Sequence, residues 1–215
     1  MLQIRSFTFN PFAENTYIVF DETNEALIID PGCSDRDEEA YLADFIARNN
    51  LLVKKLINTH CHIDHVLGNF FIKSKYNVPL FIHALEEPLL KAVKAYAPNY
   101  GFPQYQETQP DGFIKEGDKL SVGNHEFTVL FVPGHSPGHI ALYHHDSKSL
   151  IGGDVLFENS IGRTDLPGGD YDTLIESIQA KLFQLPDEVT VYCGHGPSTT
   201  IGHEKRTNPF CAVVT

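Results

Sequence analysis

Thr59-His60-Cys61-His62-Ile63-Asp64-His65 is the stretch on which the reading of this chain turns. Four donor side chains, His60, His62, Asp64 and His65, fall within six residues, directly after an apolar run at 53–58 that reads as a buried strand. In extended backbone, residues two apart share a side, so His60 and His62 face one cation while Cys61 turns away into the packing. Asp64 and His65 lie where the chain turns past the strand, aimed at a neighbouring cation.

Three more candidates occupy the same kind of place further along. His135 follows the apolar run 128–132, Asp154 follows 150–153, and His195 follows 189–193, each flanked by glycine or proline. Strand-end loops gathered at one sheet edge are a common way to assemble a site from distant residues. Five histidines and two carboxylates suit zinc first, with iron or manganese as alternatives, and need no thiolate. Seven donors exceed one tetrahedral zinc; they suit two divalent ions bridged by a carboxylate and a hydroxide, about 3.5–4 Å apart. His139 stands near this set as a supporting residue rather than a ligand. His83, His125, His144, His145 and His203 lack such company and receive no role.

Around these residues the β signal covers 2–9, 16–21, 26–30, 53–58, 80–83, 119–122, 125–132, 139–144, 150–153 and 189–193. Helical spacing covers 34–49, 65–76, 86–96 and 171–183, with Ser34 or Asp35 and then Asp170 as caps. Proline and glycine mark 97–112 as loop, and 158–169 is a second loop. Strands then helices, twice over, predict an α/β fold of two sheets with helices outside, as one domain over residues 1–215.

Composition narrows the function classes. The 215 residues carry 16 basic and 28 acidic side chains, a net charge of −12, which speaks against a nucleic-acid partner. With 42% hydrophobic and 20% charged residues the chain reads as globular. No apolar run approaches the roughly 20 residues of a membrane helix. The opening MLQIRSFTFNPFAEN lacks the charged and apolar regions of a leader. Cys33, Cys61, Cys193 and Cys211 form no C-x-x-C pair, so a reducing, cytoplasmic setting is expected.

The ordered pattern His60-x-His62-x-Asp64-His65, His135, Asp154, His195 resembles the metal signature of the metallo-β-lactamase superfamily. The resemblance runs from Asp30-Pro31-Gly32 to Gly194-His195-Gly196. It implies a four-layer αββα sandwich with His60, His62 and His135 on one metal and Asp64, His65 and His195 on the other. Asp154 would bridge them, and Asp30 would support them from behind. Pro133-Gly134-His135-Ser136-Pro137-Gly138-His139 and the segment from Ser160 to Asp170 resemble the short bacterial glyoxalase II-like hydrolases. These lack the C-terminal helical region of the long glyoxalase II enzymes. Asp at 154, where many zinc β-lactamases carry Cys, sets the chain apart from those.

The resemblance implies a small-molecule thioester substrate such as S-D-lactoylglutathione, attacked by a metal-bridging hydroxide with Asp64 and Asp154 as the catalytic carboxylates. Arg163 is the candidate for a substrate carboxylate, with an ion pair to Asp165 or Asp170 as the alternative. The competing functions are a mononuclear-iron persulfide dioxygenase using His60, His135 and Asp154, and a hydrolase of another ester or lactone.

Overall fold

A computed structural model describes residues 1–213 of the chain. It contains two compact units, each built on its own six-stranded sheet. The first comprises Met1–Ile114 with Ser121–His125; the second comprises Lys115–Leu120 and the chain from Glu126 onward.

In the first unit, β1 (Gln3–Phe9), β2 (Glu14–Phe20) and β3 (Glu25–Ile29) form an antiparallel ladder. From β3 onward the sheet is parallel, through β4 (Leu52–Ile57), β5 (Leu80–Ile82) and β6 (Gly112–Phe113). β2 is buried at every position, as expected of a strand covered on both faces. Helix α1 (Arg36–Arg48) begins where Asp35 accepts the Asp37 and Glu38 N–H groups, a cap worth about 1 kcal/mol. Its buried face, Leu42 and Ile46, packs with Ile18, Phe20, Ile28 and Leu56 from the sheet. Truncating a leucine as buried as Leu42 costs about 2–5 kcal/mol.

The helix expected at 65–76 is two helices, α2 (Ile63–Val66) and α3 (Asn69–Tyr76). The Gly68 N–H leaves the helical ladder for Pro31 O at 2.7 Å, and Asp64 O accepts instead from Asn10 Nδ2 at 3.1 Å. Asp64 and His65 therefore sit on a short helix rather than in a turn. Helix α4 (Glu87–Tyr96) carries Leu90 and Val93 into the same core. The expected loop at 97–112 opens with a 3-10 turn, Ala97–Tyr100, because Pro98 suits the first helical turn. Its last residue, Gly112, starts β6.

The second sheet runs β14-β13-β10-β9-β8-β7. Its strands are β7 (Lys119–Val122), β8 (His125–Phe131), β9 (Ile140–His144), β10 (Ser149–Gly153), β13 (Thr190–Cys193) and β14 (Thr199–Thr200). The loop expected at 158–169 carries part of a small hairpin, β11 (Leu156–Phe157) with β12 (Ser160–Ile161). Asp170 caps α5 (Tyr171–Ala180) through the Thr173 N–H at 2.8 Å. That helix stops three residues short of the expected end at 183; Leu182–Gln184 is a 3-10 turn. Leu174 and Ile178 of α5 pack with Val132, Leu150 and Val191. A sixth helix, α6 (Ile201–Thr207), has no counterpart in the expected elements. Among the described residues no helix is long and apolar enough to cross a membrane.

Candidate metal centre

Register decides where the first unit presents its donors. β3 and β4 run parallel with Ile29 opposite Ile57, so Asp30 and Asn58-Thr59-His60 leave the sheet at one edge. Asp30 takes a left-handed backbone, φ +50°, and its carboxylate accepts the Thr59 N–H at 2.7 Å and the Thr59 hydroxyl at 2.6 Å. Because that hydroxyl donates to Asp30, it accepts from His60 Nδ1 at 3.1 Å. The His60 lone pair then resides on Nε2. Asp30 Oδ2 also lies 3.3 Å from His65 Nδ1. One buried carboxylate thus reaches His60 through Thr59 and stands beside His65.

His60, His62, Asp64 and His65 come together as the motif spacing predicts. The His60 ring stands 4.8 Å from that of His62 and 4.1 Å from that of His65, centroid to centroid. Cys61 between them is fully buried in the hydrophobic core. Donor atoms of Asp30, His60 and His65 lie within 4.8 Å of one another.

Sequence reasoning missed the residues that hold this run in place. Glu86 is fully buried and its Oε2 accepts the Cys61 N–H at 2.7 Å. Asn58 Nδ2 donates to His65 O at 3.0 Å, and Asn10 Nδ2 to Asp64 O. Fully buried Glu14 lies behind His65, its Oε1 at 3.9 Å from His65 Nδ1. These residues act on backbone groups or from distant positions, so no spacing pattern announces them.

In the second unit β10 and β13 are parallel, with Gly153 opposite Cys193, while β8 and β10 flank the antiparallel β9. The segments carrying His135, Asp154 and His195 therefore all leave the same edge. Asp154 Oδ2 lies 3.6 Å from His135 Nε2 and 3.5 Å from His195 Nε2. His139, fully buried, accepts the Asp154 N–H on Nε2 at 3.0 Å. It fixes the aspartate's backbone.

Arg163 divides its functions. Its guanidinium grips Asp165 at 2.7 and 2.6 Å, the ion-pair alternative, and holds that exposed carboxyl down to about 2. Its backbone carbonyl accepts from His135 Nδ1 at 2.7 Å, which leaves the lone pair on Nε2. Next to it, Gly162 packs so close that a Cβ there would stand 1.9 Å from Asp154 O and 3.0 Å from His135 Nδ1. Gly162 thus owes its place to close approach rather than to chemistry of its own.

The donor spacing fits divalent cations. Bonds of roughly 2.0–2.2 Å to a tetrahedral ion put neighbouring ligand atoms about 3.3–3.6 Å apart. The two Asp154 separations match that edge and exceed hydrogen-bond length. One Asp154 oxygen thus reaches two histidines. In the first unit His65 Nε2 stands 3.7 Å from Asp64 Oδ2, a similar spacing.

With this geometry in hand, comparison with known proteins settles the family: the model of the metallo-beta-lactamase superfamily matches residues 9–195. The chain belongs to the metallo-β-lactamase superfamily. A hydroxyacylglutathione hydrolase, GloC, from Haemophilus influenzae is 40% identical over 201 residues, covering 93% of each chain. The solved BLEG-1 B3 metallo-beta-lactamase superposes with a TM-score of 0.89 at 33% identity, covering 98% of this chain and 100% of that one. TTHA1623, solved in a di-iron-bound form, gives 0.86 at 37% identity, covering 96% and 99%. The two mixed sheets with their helices are the metallo-β-lactamase fold, as the motif order implied. Membership in the superfamily makes the chain a metallo-hydrolase by class and its His/Asp donors those of a divalent-metal protein.

Proposed function

We propose that this superfamily member hydrolyses a small hydroxyacyl thioester, S-D-lactoylglutathione being the test compound, with two divalent ions, zinc first. His60, His62 and His135 would hold one ion, Asp64, His65 and His195 the other, and Asp154 would join them. The observation that carries the metal set is Asp154, whose one oxygen meets two histidine Nε2 atoms at ligand spacing. The thioester is supported by the 40% identity with a hydroxyacylglutathione hydrolase over nearly the whole chain.

Two such ions supply Lewis acidity toward a carbonyl oxygen and toward water. The chain's own residues do the rest. Asp64 keeps part of its side chain open to solvent, which suits it to orient the attacking water. His195 is the more exposed histidine beside Asp154, which suits a place on the substrate side. His60 and His135 are held through their Nδ1 atoms, which keeps their tautomers fixed during turnover. A thiolate with a pKa near 8.5 leaves without a strong general acid, which agrees with a donor set that holds no spare acid.

A second reading, β-lactam ring opening, draws on the superposition with BLEG-1. Thiol release from S-D-lactoylglutathione and hydrolysis of nitrocefin, measured on the same zinc-loaded preparation, separate the two. Saturable thiol release that disappears on metal removal is the expected result. Nitrocefin turnover without thiol release replaces the thioester reading, and full activity in metal-free protein ends both.

A further inference from the structure

Fully buried Glu14 opens β2, far in sequence from every candidate ligand. The backbone takes an unusual path to place it, since Ala13 just before it adopts φ +56°. A left-handed alanine is strained and persists only where its surroundings hold it. Those surroundings form a circuit: the Gly32 N–H donates to Thr16 Oγ1 at 2.8 Å, and the Thr16 hydroxyl donates to Glu14 Oε2 at 3.0 Å. Any Cβ at Gly32 would fall 2.0 Å from Glu14 Oε2 and 2.8 Å from Asp64 O, so the glycine makes room for the carboxylate against the α2 backbone.

The other oxygen, Oε1, is buried with no hydrogen-bond partner among the described residues. It lies 3.9 Å from His65 Nδ1, whose nearer neighbour is Asp30 Oδ2 at 3.3 Å. For stability alone, a carboxylate so placed is a burden. Its charge gains a use if positive charge gathers at His65.

We infer that Glu14 is a positioning residue: with Asp30 it holds His65 from behind and supplies a buried negative charge that strengthens binding of the ion shared by Asp64 and His65. This rests on the dinuclear reading above. A purely structural residue would stabilise the metal-free chain, whereas Glu14 acts through one of the two ions.

The test compares wild type, Glu14→Gln and Glu14→Asp as full-length zinc-loaded proteins dialysed against graded chelator, with zinc per chain counted by mass spectrometry. Metal-free melting temperatures are measured alongside. Wild type is expected to hold two ions. In Glu14→Gln one ion keeps its affinity and the other weakens about 10- to 100-fold, the range for residues behind a ligand. Glu14→Asp recovers part of the loss, and metal-free Glu14→Gln melts no lower than wild type. Wild-type affinities for both ions in Glu14→Gln overturn the role of Glu14 and leave the dinuclear reading standing. Equal weakening of both ions together with a lower metal-free melting temperature makes Glu14 merely structural. A wild-type chain holding fewer than two ions overturns the dinuclear reading and this inference with it.

Discussion

The two units supply their donors in opposite ways. The first places four of them, His60, His62, Asp64 and His65, in one run from the end of β4 into α2, where local backbone sets their relation. The second draws His135, Asp154 and His195 from three separated strand ends, related only through sheet register and loop contacts. A run of neighbours can be oriented by a few buried side chains: Asp30 through Thr59, Glu86 on the Cys61 N–H, Asn58 on His65 O. Scattered donors need their loops locked at the backbone, and here His139 holds the Asp154 N–H while Arg163 O holds His135.

The largest expected effect tests the point where the scattered set converges. Asp154→Asn keeps the shape but removes the charge beside two histidines, and thioester turnover should fall about 10²–10³-fold or further, with metal content falling too. Retained metal and turnover would break the comparison at its centre. Gly162→Ala comes next. Its methyl group must displace Asp154 O and His135 together, and displacements of about an ångström cost roughly 10²-fold in rate. Overpacking of this kind also lowers stability by about 1–3 kcal/mol, read as a drop in melting temperature.

Smaller still is His139→Ala, which strands the Asp154 N–H. Metal affinity should drop about 10- to 100-fold in chelator competition, and His139→Gln, which restores an acceptor, should recover part of it. The smallest effect belongs to Arg163→Ala. It breaks only an exposed ion pair and leaves the backbone carbonyl that serves His135, so kcat and the melting temperature should hold. A rise in KM alone would sharpen Arg163 into a contact for a substrate anion. A large loss of kcat would place its guanidinium nearer the chemistry than its grip on Asp165 suggests.

Much of this was legible before any coordinates. Strands β3, β4, β8, β10 and β13 are short apolar runs, and the segments after them carry the histidines and aspartates of the signature. Ligand chemistry shows itself in residue type and spacing. The supporting layer does not, because it works through backbone atoms and distant contacts. Glu14 reaches His65 across 51 residues of sequence, Glu86 reaches Cys61 across 25, and Gly162 matters only for the space it leaves. The division of the expected helix at 65–76 has the same origin, since Pro31 and Asn10 take the hydrogen bonds that would have continued it. Helix α6 has seven residues, too short for apolar periodicity to show, and rests on the Thr200 cap instead.

The most direct test of the central claim, that both donor sets serve one pair of ions, is the number of zinc ions retained per chain after exhaustive dialysis. Wild type should retain two, while His65→Ala and His135→Ala should each retain fewer. One ion in wild type, or two in either variant, would contradict a dinuclear centre built from both halves of the chain.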